Sequence, residues 1–244
     1  MKIERHFTKH LASPYDTLAF VPRTSVKRDR SGNVVETIDL IGPETWSQTA
    51  IDVLAQKYMR QTGVPLTDDT GTGRETDARQ VFTRIAHAWT YWGLAEGYFD
   101  AEEDATAFFE EMQYMLAHQI AAPNSPQWFN TGLHLSYGIA GPPQGLWRHN
   151  FHNGVTEELP HAYIHNQSSA CFIQSVEDAL INDGGIMDLY HREARLFKFG
   201  SGSGTNFSKL RGEHEQLSGG GKSSGLMSFL KIGDTSAGAI KSGG

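Results

Sequence analysis

Apolar residues in the first half of the chain recur at helical spacing. In PETWSQTAIDVLAQKYMRQTG, which starts at Pro43, they share one helical face, and two later segments, ARQVFTRIAHAWTYWGLAEG and residues 100–119, repeat the pattern. Asp100 and Glu103 have the spacing of a capping box at the start of the third helix. The stripes predict a helical core built from these residues: Trp46, Ala50, Val53, Leu54, Tyr58, Val81, Phe82, Ile85, Trp89, Trp92, Phe108, Met112, Met115 and Leu116. Residues 1–43 predict extended runs on either side of the turn RDRSGN.

The pattern becomes shorter and more varied after Ala122. PNSPQWFNTGL predicts a loop and a short strand, and a long irregular insertion follows it. SACFIQSV predicts a buried strand, GGIMDLYHREARLFKFG an amphipathic helix ending at Gly200, TNFSKLRG a short strand, and SSGLMSFLKIGDTSAGAI a helix. This alternation favours an α/β fold. We therefore expect a mostly helical N-terminal domain over 1–120 and an α/β sheet or barrel over 121–244.

Composition excludes several classes of protein. The 244 residues are 39% hydrophobic and 20% charged, which is typical of a globular protein, and the net charge of −7 argues against a general nucleic-acid or membrane-surface binder. No apolar run approaches the roughly 20 residues that span a bilayer. The N-terminus lacks the apolar core of a secretory signal, and a single cysteine cannot form an internal disulfide, so a cytoplasmic location is expected. Because the chain stops at AGAIKSGG, within a glycine-bearing turn, we expect it to be the N-terminal piece of a longer protein.

A glycine-rich segment, FKFGSGSGTNFSKLRGEHEQLSGGGKSSG, covers residues 197–225. Exposed N–H groups and small side chains suit such a segment to phosphate binding. A P-loop would need glycine where Gln216 stands, five residues before Gly221, and GSGSGT lacks the G-x-G-x-x-G spacing of a dinucleotide site. Two interpretations remain open: a phosphate loop with Lys209, Arg211 and Lys222, or a mobile linker or hairpin tip.

The single cysteine and a group of histidines are the other candidates for chemistry. Cys171 begins an apolar strand in SSACFIQ, so it is either a small buried hydrophobe or a thiol at a strand end that faces a cleft. Four histidines have the spacing H-x2-H-x8-H-x3-H but lack a cysteine or acidic ligand at a clean spacing, so we expect no metal site. They are His149, His152, His161 and His165.

Several segments, taken in order, resemble the N-terminal half of a ribonucleotide reductase catalytic chain: PNSPQWFNTGL, ACFIQSVED, GGIMDLYHREARLFKFGSGSGTNFSKLR, GGGKSSGLMSFLKIGD and AGAIKSGG. SPYDTLAFVPRTS and WSQTAIDVLAQKYMRQTGVP resemble the adenosylcobalamin-dependent class II enzymes in particular. The resemblance covers nearly the whole chain. It implies that residues 121–244 form the first part of a ten-stranded α/β barrel, with adenosylcobalamin bound mainly by residues outside this chain.

The resemblance also implies a substrate site. The family converts a ribonucleoside diphosphate to its 2′-deoxy form by thiyl-radical chemistry, with a dithiol such as thioredoxin as reductant. Cys171 matches the reducing cysteine on the first barrel strand, whose disulfide partner lies late in the family's chain. Ser125 matches a hydroxyl that binds the substrate phosphates, and Ala170, Cys171 and Gly202 line the nucleotide site. The family often has serine where Ala170 stands, so at this position only the backbone N–H can donate a hydrogen bond to the nucleotide.

A second nucleotide site follows from the same resemblance. A nucleoside triphosphate effector binds at a homodimer interface, where Asp178 matches the acid on its ribose and Arg211 the arginine on its phosphates. Residues 212–222, ending at Lys222, match one specificity loop, and Lys241 begins the second. The radical cysteine lies in the family's other half, so we expect this chain alone to be inactive and poorly soluble. The alternatives are a class I large subunit, which needs an iron- or manganese-bearing partner, and a nucleotide-binding regulatory module in which Cys171 is only structural.

Overall fold

The computed structural model describes residues 1–66 and 70–240, and the chain forms two compact units, Met1–Asn166 and Gln167–Gly244. The helices and strands of the first unit are β1 (Phe20–Arg28), β2 (Val34–Pro43), α1 (Gln48–Val53), β3 (Val64–Pro65), β4 (Thr72–Gly73), α2 (Ala78–Ala95), α3 (Glu102–Ala117), α4 (Ser125–Asn130), α5 (Leu133–Tyr137), β5 (Trp147–Asn150) and β6 (Val155–Glu158). Those of the second unit are β7 (Cys171–Ser175), α6 (Ile186–Lys198), β8 (Gly202–Asn206) and α7 (Leu226–Ala239).

The extended N-terminal runs form an antiparallel hairpin, as the sequence predicts. Phe20 pairs with Pro43 at the open end of β1 and β2. At the turn, the Asp29 carboxylate accepts hydrogen bonds from the Ser31 and Asn33 N–H groups at 2.8 and 2.9 Å. The RDRSGN segment therefore closes the hairpin by the side-chain-to-backbone bonding that favours Asp and Asn in turns.

Most of the predicted stripe residues lie in or against the core of the first unit, but Val53 is 41% exposed, which corrects its place in the predicted core. Val81, Phe82 and Ile85 on α2 are fully buried, while Trp89 and Trp92 are half-buried. The first predicted helix changes geometry along its length: α1 continues as a π-helical turn over Leu54–Tyr58. Hydrophobic spacing does not specify a π-helical turn, because such a turn is defined by which backbone carbonyl accepts each N–H hydrogen bond.

The capping box predicted for α3 is displaced by one residue. Ala101 precedes the helix, and its N–H donates to the Asp104 carboxylate at 3.0 Å. Asp100 instead pairs with the N-terminal ammonium of Met1 at 2.7 Å. The prediction of Asp100 and Glu103 was therefore wrong, because the helix begins one residue later, so that Ala101 is the N-cap and Asp104 takes the third helical position.

PNSPQWFNTGL is helical, which corrects the predicted loop and strand. The Asn124 side chain accepts the N–H of Gln127 at 3.3 Å and so caps α4, where Pro126 lies in the first turn. Gly132, at φ +82°, separates α4 from α5, and a Cβ there would lie 2.1 Å from the Arg84 carbonyl oxygen. The predicted irregular insertion also contains regular structure, the antiparallel hairpin of β5 and β6.

The compact units divide later than the predicted domains. Residues 121–166 belong to the first unit, where the Arg84 guanidinium donates to the carbonyls of Trp128 at 2.9 Å and Thr131 at 2.7 Å. These bonds attach α4 to α2. The assignment of a functional domain to 1–120 and of a barrel portion to 121–244 stays a prediction.

The second unit is built around a strand, helix and strand connection. β7 and β8 pair in parallel, with Cys171 opposite Gly202, and α6 crosses between them as predicted. β8 forms on GSGTN, earlier than the predicted TNFSKLRG, and α7 forms where the sequence predicts it. The small core of this unit consists of Val176 and three residues of α6, Ile186, Leu189 and Tyr190.

β7 corrects one further expectation. Its pattern is apolar enough to predict a buried strand, yet Ile173 is 88% exposed. β7 and β8 form a two-stranded sheet, so one parallel neighbour covers only part of each strand. The mixed α/β class is confirmed. In the part of the chain that the structure describes, no helix is long and apolar enough to cross a membrane.

Candidate functional site

Cys171 is the first residue of β7, and its thiol is free and exposed. A Cβ on the facing residue, Gly202, would lie 3.9 Å from the Cys171 Sγ and 3.8 Å from the Ala170 carbonyl oxygen. A Cβ at position 202 would therefore be in ordinary van der Waals contact with the sulfur. The interpretation of Cys171 as a buried hydrophobe is wrong, because its side chain is outside both cores.

The position of Cys171 along its strand also corrects part of the reasoning from sequence. Parallel α/β sheets and barrels carry their sites at the carboxyl ends of strands. Cys171 lies at the amino end of β7. Its accessibility, rather than a general rule about strand ends, is therefore what makes it a candidate for chemistry.

A cavity of about 340 Å³ lies beyond the carboxyl end of β7 and brings together three of the predicted effector residues, Asp178, Arg211 and Lys222. The Arg211 Nε donates to the Asp178 carboxylate at 2.5 Å, and its Nη1 donates to the Gln216 carbonyl at 2.9 Å. The rest of the lining is largely apolar: Ala179, Leu180, Ile186, Leu210, Leu217 and Phe229. A cavity with charged groups at one side and an apolar wall at the other suits an amphipathic, anionic ligand.

The glycine-rich stretch beside this cavity is a folded hairpin. The Ser223 N–H donates to the Glu215 carbonyl at 2.8 Å, and the Leu217 N–H donates to the Gly221 carbonyl at 2.7 Å. The tip therefore lies at residues 217–221, and Lys222 follows it directly. The stretch is thus a folded hairpin, and Lys222 lines the cavity. Phosphate binding by this hairpin stays a prediction. Lys209 points elsewhere and forms an ion pair with Glu177.

Ser125 belongs to the other unit. It begins α4, and its hydroxyl lies 3.2 Å from the Tyr58 hydroxyl. The Tyr58 ring stacks on Trp128, with centroids 5.5 Å apart. The meeting of Ser125 with Cys171 at one cleft stays a prediction, because each lies in a separate compact unit. Lys241 lies outside the described residues.

A buried polar cluster near Ser125 is absent from the predicted site residues. The Glu75 carboxylate accepts hydrogen bonds from the Arg84 Nε at 2.7 Å, the Tyr137 hydroxyl at 2.8 Å and the Arg60 N–H at 2.7 Å. Arg84 and Glu75 are 1% and 0% exposed. Burial and the Glu75 carboxylate raise the pKa of Tyr137 far above its ordinary value. The sequence signal that could have revealed this cluster is Arg84, a charged residue on the apolar face of α2 between Phe82 and Ile85.

The four histidines are spread over and around the β5–β6 hairpin. His149 lies 3.1 Å from the Thr156 hydroxyl, and the His165 Nε2 lies 2.6 Å from Arg148. Burial, with a smaller contribution from His134, lowers the pKa of His161. Over residues 1–66 and 70–240, no group of three or more His, Cys, Asp or Glu side chains is placed to hold a metal ion.

Comparison with known proteins identifies the family. Residues 21–119 match the family model described as class II vitamin B12-dependent ribonucleotide reductase, and residues 169–244 match the ribonucleotide reductase barrel domain. The whole chain is 54% identical to the vitamin B12-dependent ribonucleotide reductase of Agrobacterium fabrum, 52% to that of Bradyrhizobium diazoefficiens and 36% to that of Streptomyces coelicolor. The chain spans only 21% or 22% of the length of these relatives.

Both matched regions belong to ribonucleotide reductases, the second of them to the barrel domain. The chain belongs to the class II, vitamin B12-dependent ribonucleotide reductase family, and the resemblance inferred from the sequence is confirmed. The class-specific match over 21–119 favours class II over the class I alternative.

Three cavities among the described residues have volumes of about 340, 320 and 420 Å³. Pockets for drug-sized ligands run to about 300–1,000 Å³, and a corrinoid is larger than such a ligand. None of these three cavities by itself fits a corrinoid.

Proposed function

We propose that this chain carries the nucleotide-contacting and reducing part of a class II ribonucleotide reductase, with Cys171 as one of two reducing thiols. The observation that carries this proposal is the free, exposed thiol at the start of β7, facing Gly202, within the region similar to the family's barrel domain. The relatives' shared name supports the reaction type. In this proposal, residues 121–244 contribute the first part of a ten-stranded barrel in a cytoplasmic enzyme.

The reaction requires two thiols as well as a radical. A thiyl radical takes the 3′-hydrogen of the ribose and later returns it, which makes the 2′-hydroxyl easier to lose. The 2′-oxygen leaves as water, and two thiols supply the two electrons and two hydrogens and become a disulfide. The balance is one ribonucleotide and two thiols giving one deoxyribonucleotide, one disulfide and water. The chain has a single cysteine, so the proposal takes the second thiol and the radical cysteine from other residues of the protein.

The proposed substrate is a ribonucleoside diphosphate. In the second unit, the backbone N–H groups at Ala170 and Cys171 are the proposed donors to its phosphates, and Gly202 lies beside the thiol. In the first unit, the Ser125 hydroxyl is a proposed phosphate donor. Adenosylcobalamin, held outside these residues, supplies radical initiation when bound. A dithiol protein such as thioredoxin then reduces the disulfide.

The proposed effector is a nucleoside triphosphate in the cavity lined by Asp178 and Arg211. Arg211 and Lys222 are cations suited to phosphate oxygens, Asp178 can accept from ribose hydroxyls, and the apolar wall suits a base. The family's homodimer would place this cavity near a subunit interface. The effector could then bias substrate choice through the 212–222 hairpin.

Cys171→Ser tests the reducing role. In the reductase polypeptide that contains this segment, assayed with adenosylcobalamin and a dithiol, we expect loss of deoxyribonucleotide formation with effector binding retained. Serine cannot form the disulfide, so turnover has no electron source. Ser175→Ala, on the same strand, is the matched control and should retain turnover. If Cys171→Ser turned over at the wild-type rate, the reducing role would be wrong, and the cavity at Asp178 would favour a purely regulatory nucleotide-binding module.

A further inference from the structure

The backbone leading into β8 is fixed by the end of α6. Phe199 is the C-cap, and Gly200 adopts φ +88°, a left-handed conformation that suits glycine. The Gly200 N–H donates to the Phe197 carbonyl, and the Ser201 N–H donates to the Leu196 carbonyl, both at 3.0 Å. These two bonds form a Schellman motif. The position of Ser201 is therefore set by the helix.

The Ser201 side chain turns from this anchored position toward the segment that precedes Cys171. Ser201 is only 4% exposed, and its hydroxyl donates to the Ser169 carbonyl at 2.5 Å. The same oxygen accepts a hydrogen bond from the Gln167 side-chain amide. One residue further on, the Gly202 N–H donates to the Ala170 carbonyl at 2.6 Å. Two consecutive residues after α6 thus hold the two consecutive carbonyls before the thiol.

We propose that Ser201 is a positioning residue for Cys171. Its hydroxyl joins the end of α6 to the 167–169 segment and so sets the direction in which the Cys171 side chain leaves β7. The thiol is exposed, so its direction depends on the backbone of residues 169–171 more than on packing around the sulfur. The inference rests on the reducing role proposed for Cys171.

The physical reason for the effect is that the link is anchored at a buried end, since Ser201 is 4% exposed while Gln167 is half-buried and Ser169 is exposed. A hydrogen bond that is partly shielded from water holds its partners more firmly than one in full solvent. Removing the Ser201 hydroxyl leaves the Ser169 carbonyl and the Gln167 amide each short of one partner. The segment would shift to find new partners, and Cys171 would move with it.

The test compares Ser201→Ala with Ser203→Ala in the reductase polypeptide that contains this segment. Ser203 is the matched control, because it lies only two residues further on, in β8, but its hydroxyl donates to the Glu193 carboxylate on α6 at 2.6 Å. A misplacement near 1 Å costs up to about 100-fold in rate, so we expect Ser201→Ala to lower kcat by about 10- to 100-fold. KM should rise as well, since the Ala170 and Cys171 N–H groups proposed to bind the phosphates lie on the segment that shifts. Ser201→Thr, which keeps the hydroxyl, should restore most of kcat.

A second measurement reports on the thiol without turnover. Cys171 is the single cysteine in these 244 residues, so alkylation by iodoacetamide can be followed on the peptide that contains it. Ser201→Ala should change the alkylation rate at least threefold relative to Ser203→Ala. If Ser201→Ala does not fold, Gln167→Ala removes the other half of the link and is judged by the same readouts.

The outcomes separate the two proposals. If Cys171→Ser abolishes turnover while Ser201→Ala matches Ser203→Ala in both kcat and alkylation rate, the positioning role is wrong and the reducing role stands. If Cys171→Ser keeps full turnover, the reducing role is wrong, and with it the catalytic purpose assigned to Ser201. Loss of kcat in Ser201→Ala, with rescue by Ser201→Thr and altered alkylation, supports the positioning role.

Discussion

Arg84 is held in the apolar core of the first unit by four acceptors. Its guanidinium donates to the Glu75 carboxylate and to the carbonyls of Tyr58, Trp128 and Thr131, at distances of 2.7 to 3.1 Å. Burying a charge is costly unless it is paired and hydrogen-bonded. Arg84 therefore joins α2 to the π-helical turn and to α4, the elements that carry Tyr58 and Ser125.

Arg84→Met should destabilise the chain by about 3–5 kcal/mol, because it leaves the Glu75 carboxylate buried without its counter-charge. Urea unfolding measures the change. Arg79→Met is the matched control on the same helix. Arg79 is half exposed and pairs with Asp77 at the surface, so its loss should cost about 1 kcal/mol or less. If Arg84→Met lowered the free energy of unfolding by less than Arg79→Met does, the stabilising role of the buried Arg84–Glu75 pair would be contradicted.

At the scale of elements, α3 holds the N-terminal segment through one carboxylate. Glu111 accepts hydrogen bonds from the N–H groups of His6, Phe7 and Thr8 and from the Thr8 hydroxyl, at 2.7 to 3.1 Å. Burial favours the neutral form of Glu111, but the bonds from Thr8, Phe7 and His6 outweigh it and lower the pKa of the carboxyl. The ionised carboxylate is therefore the form that the folded chain stabilises.

This lowered pKa predicts a pH dependence of stability. A group whose pKa is lower in the folded state contributes stability above its unfolded pKa, near 4.5, and loses that contribution as the pH falls through the folded pKa. Urea unfolding at pH 7 and at successive values below 4.5 should show this loss in the wild type and a shallower loss in Glu111→Gln. Glu158→Gln, at an exposed position, should keep the wild-type dependence. If the unfolding free energy of the wild type and of Glu111→Gln fell equally steeply with decreasing pH, this role of Glu111 would be ruled out.

For the whole molecule, the feature that makes Asp178, Arg211 and Lys222 a candidate binding site is that all three line one cavity, although Asp178 lies far from the other two along the chain. Their role depends on the proposed effector, which would have to change the preference for one substrate base over another. Such coupling between sites is typically about 1–3 kcal/mol, or roughly 5- to 150-fold in affinity. The loop that relays it must adopt more than one shape, for which the glycines at its tip are suited.

Arg211→Gln should weaken nucleoside triphosphate binding by about 10-fold or more, since a charge-assisted bond to phosphate contributes about 1.5–3 kcal/mol. Isothermal titration calorimetry of the reductase polypeptide with a set of nucleoside triphosphates measures the dissociation constants. Arg195→Gln, in the last turn of α6, is the matched control and should bind normally. Unchanged affinity in Arg211→Gln would place the effector elsewhere.

Local pattern was enough for the elements that apolar periodicity and turn residues specify. The hairpin of β1 and β2, the helices α2, α3, α6 and α7, and the strand that begins at Cys171 follow from periodicity and turn residues. Ordered motifs along the chain were enough to identify the family. They did not reveal α4, because Pro126 suggests a loop unless Asn124 is recognised as its cap.

The sequence by itself determined the α/β class, most helices, the family and the candidate residues, because periodicity, composition and motif order are properties of neighbouring positions. Tertiary structure alone decided that Arg84 and Glu75 are buried together, that Asp178 meets Arg211 across 33 positions, and that Ser201 holds the segment before Cys171. These pairings depend on how separate elements pack. A hydrogen bond between distant residues forms only when their backbones are already in place, and no local pattern encodes that distance.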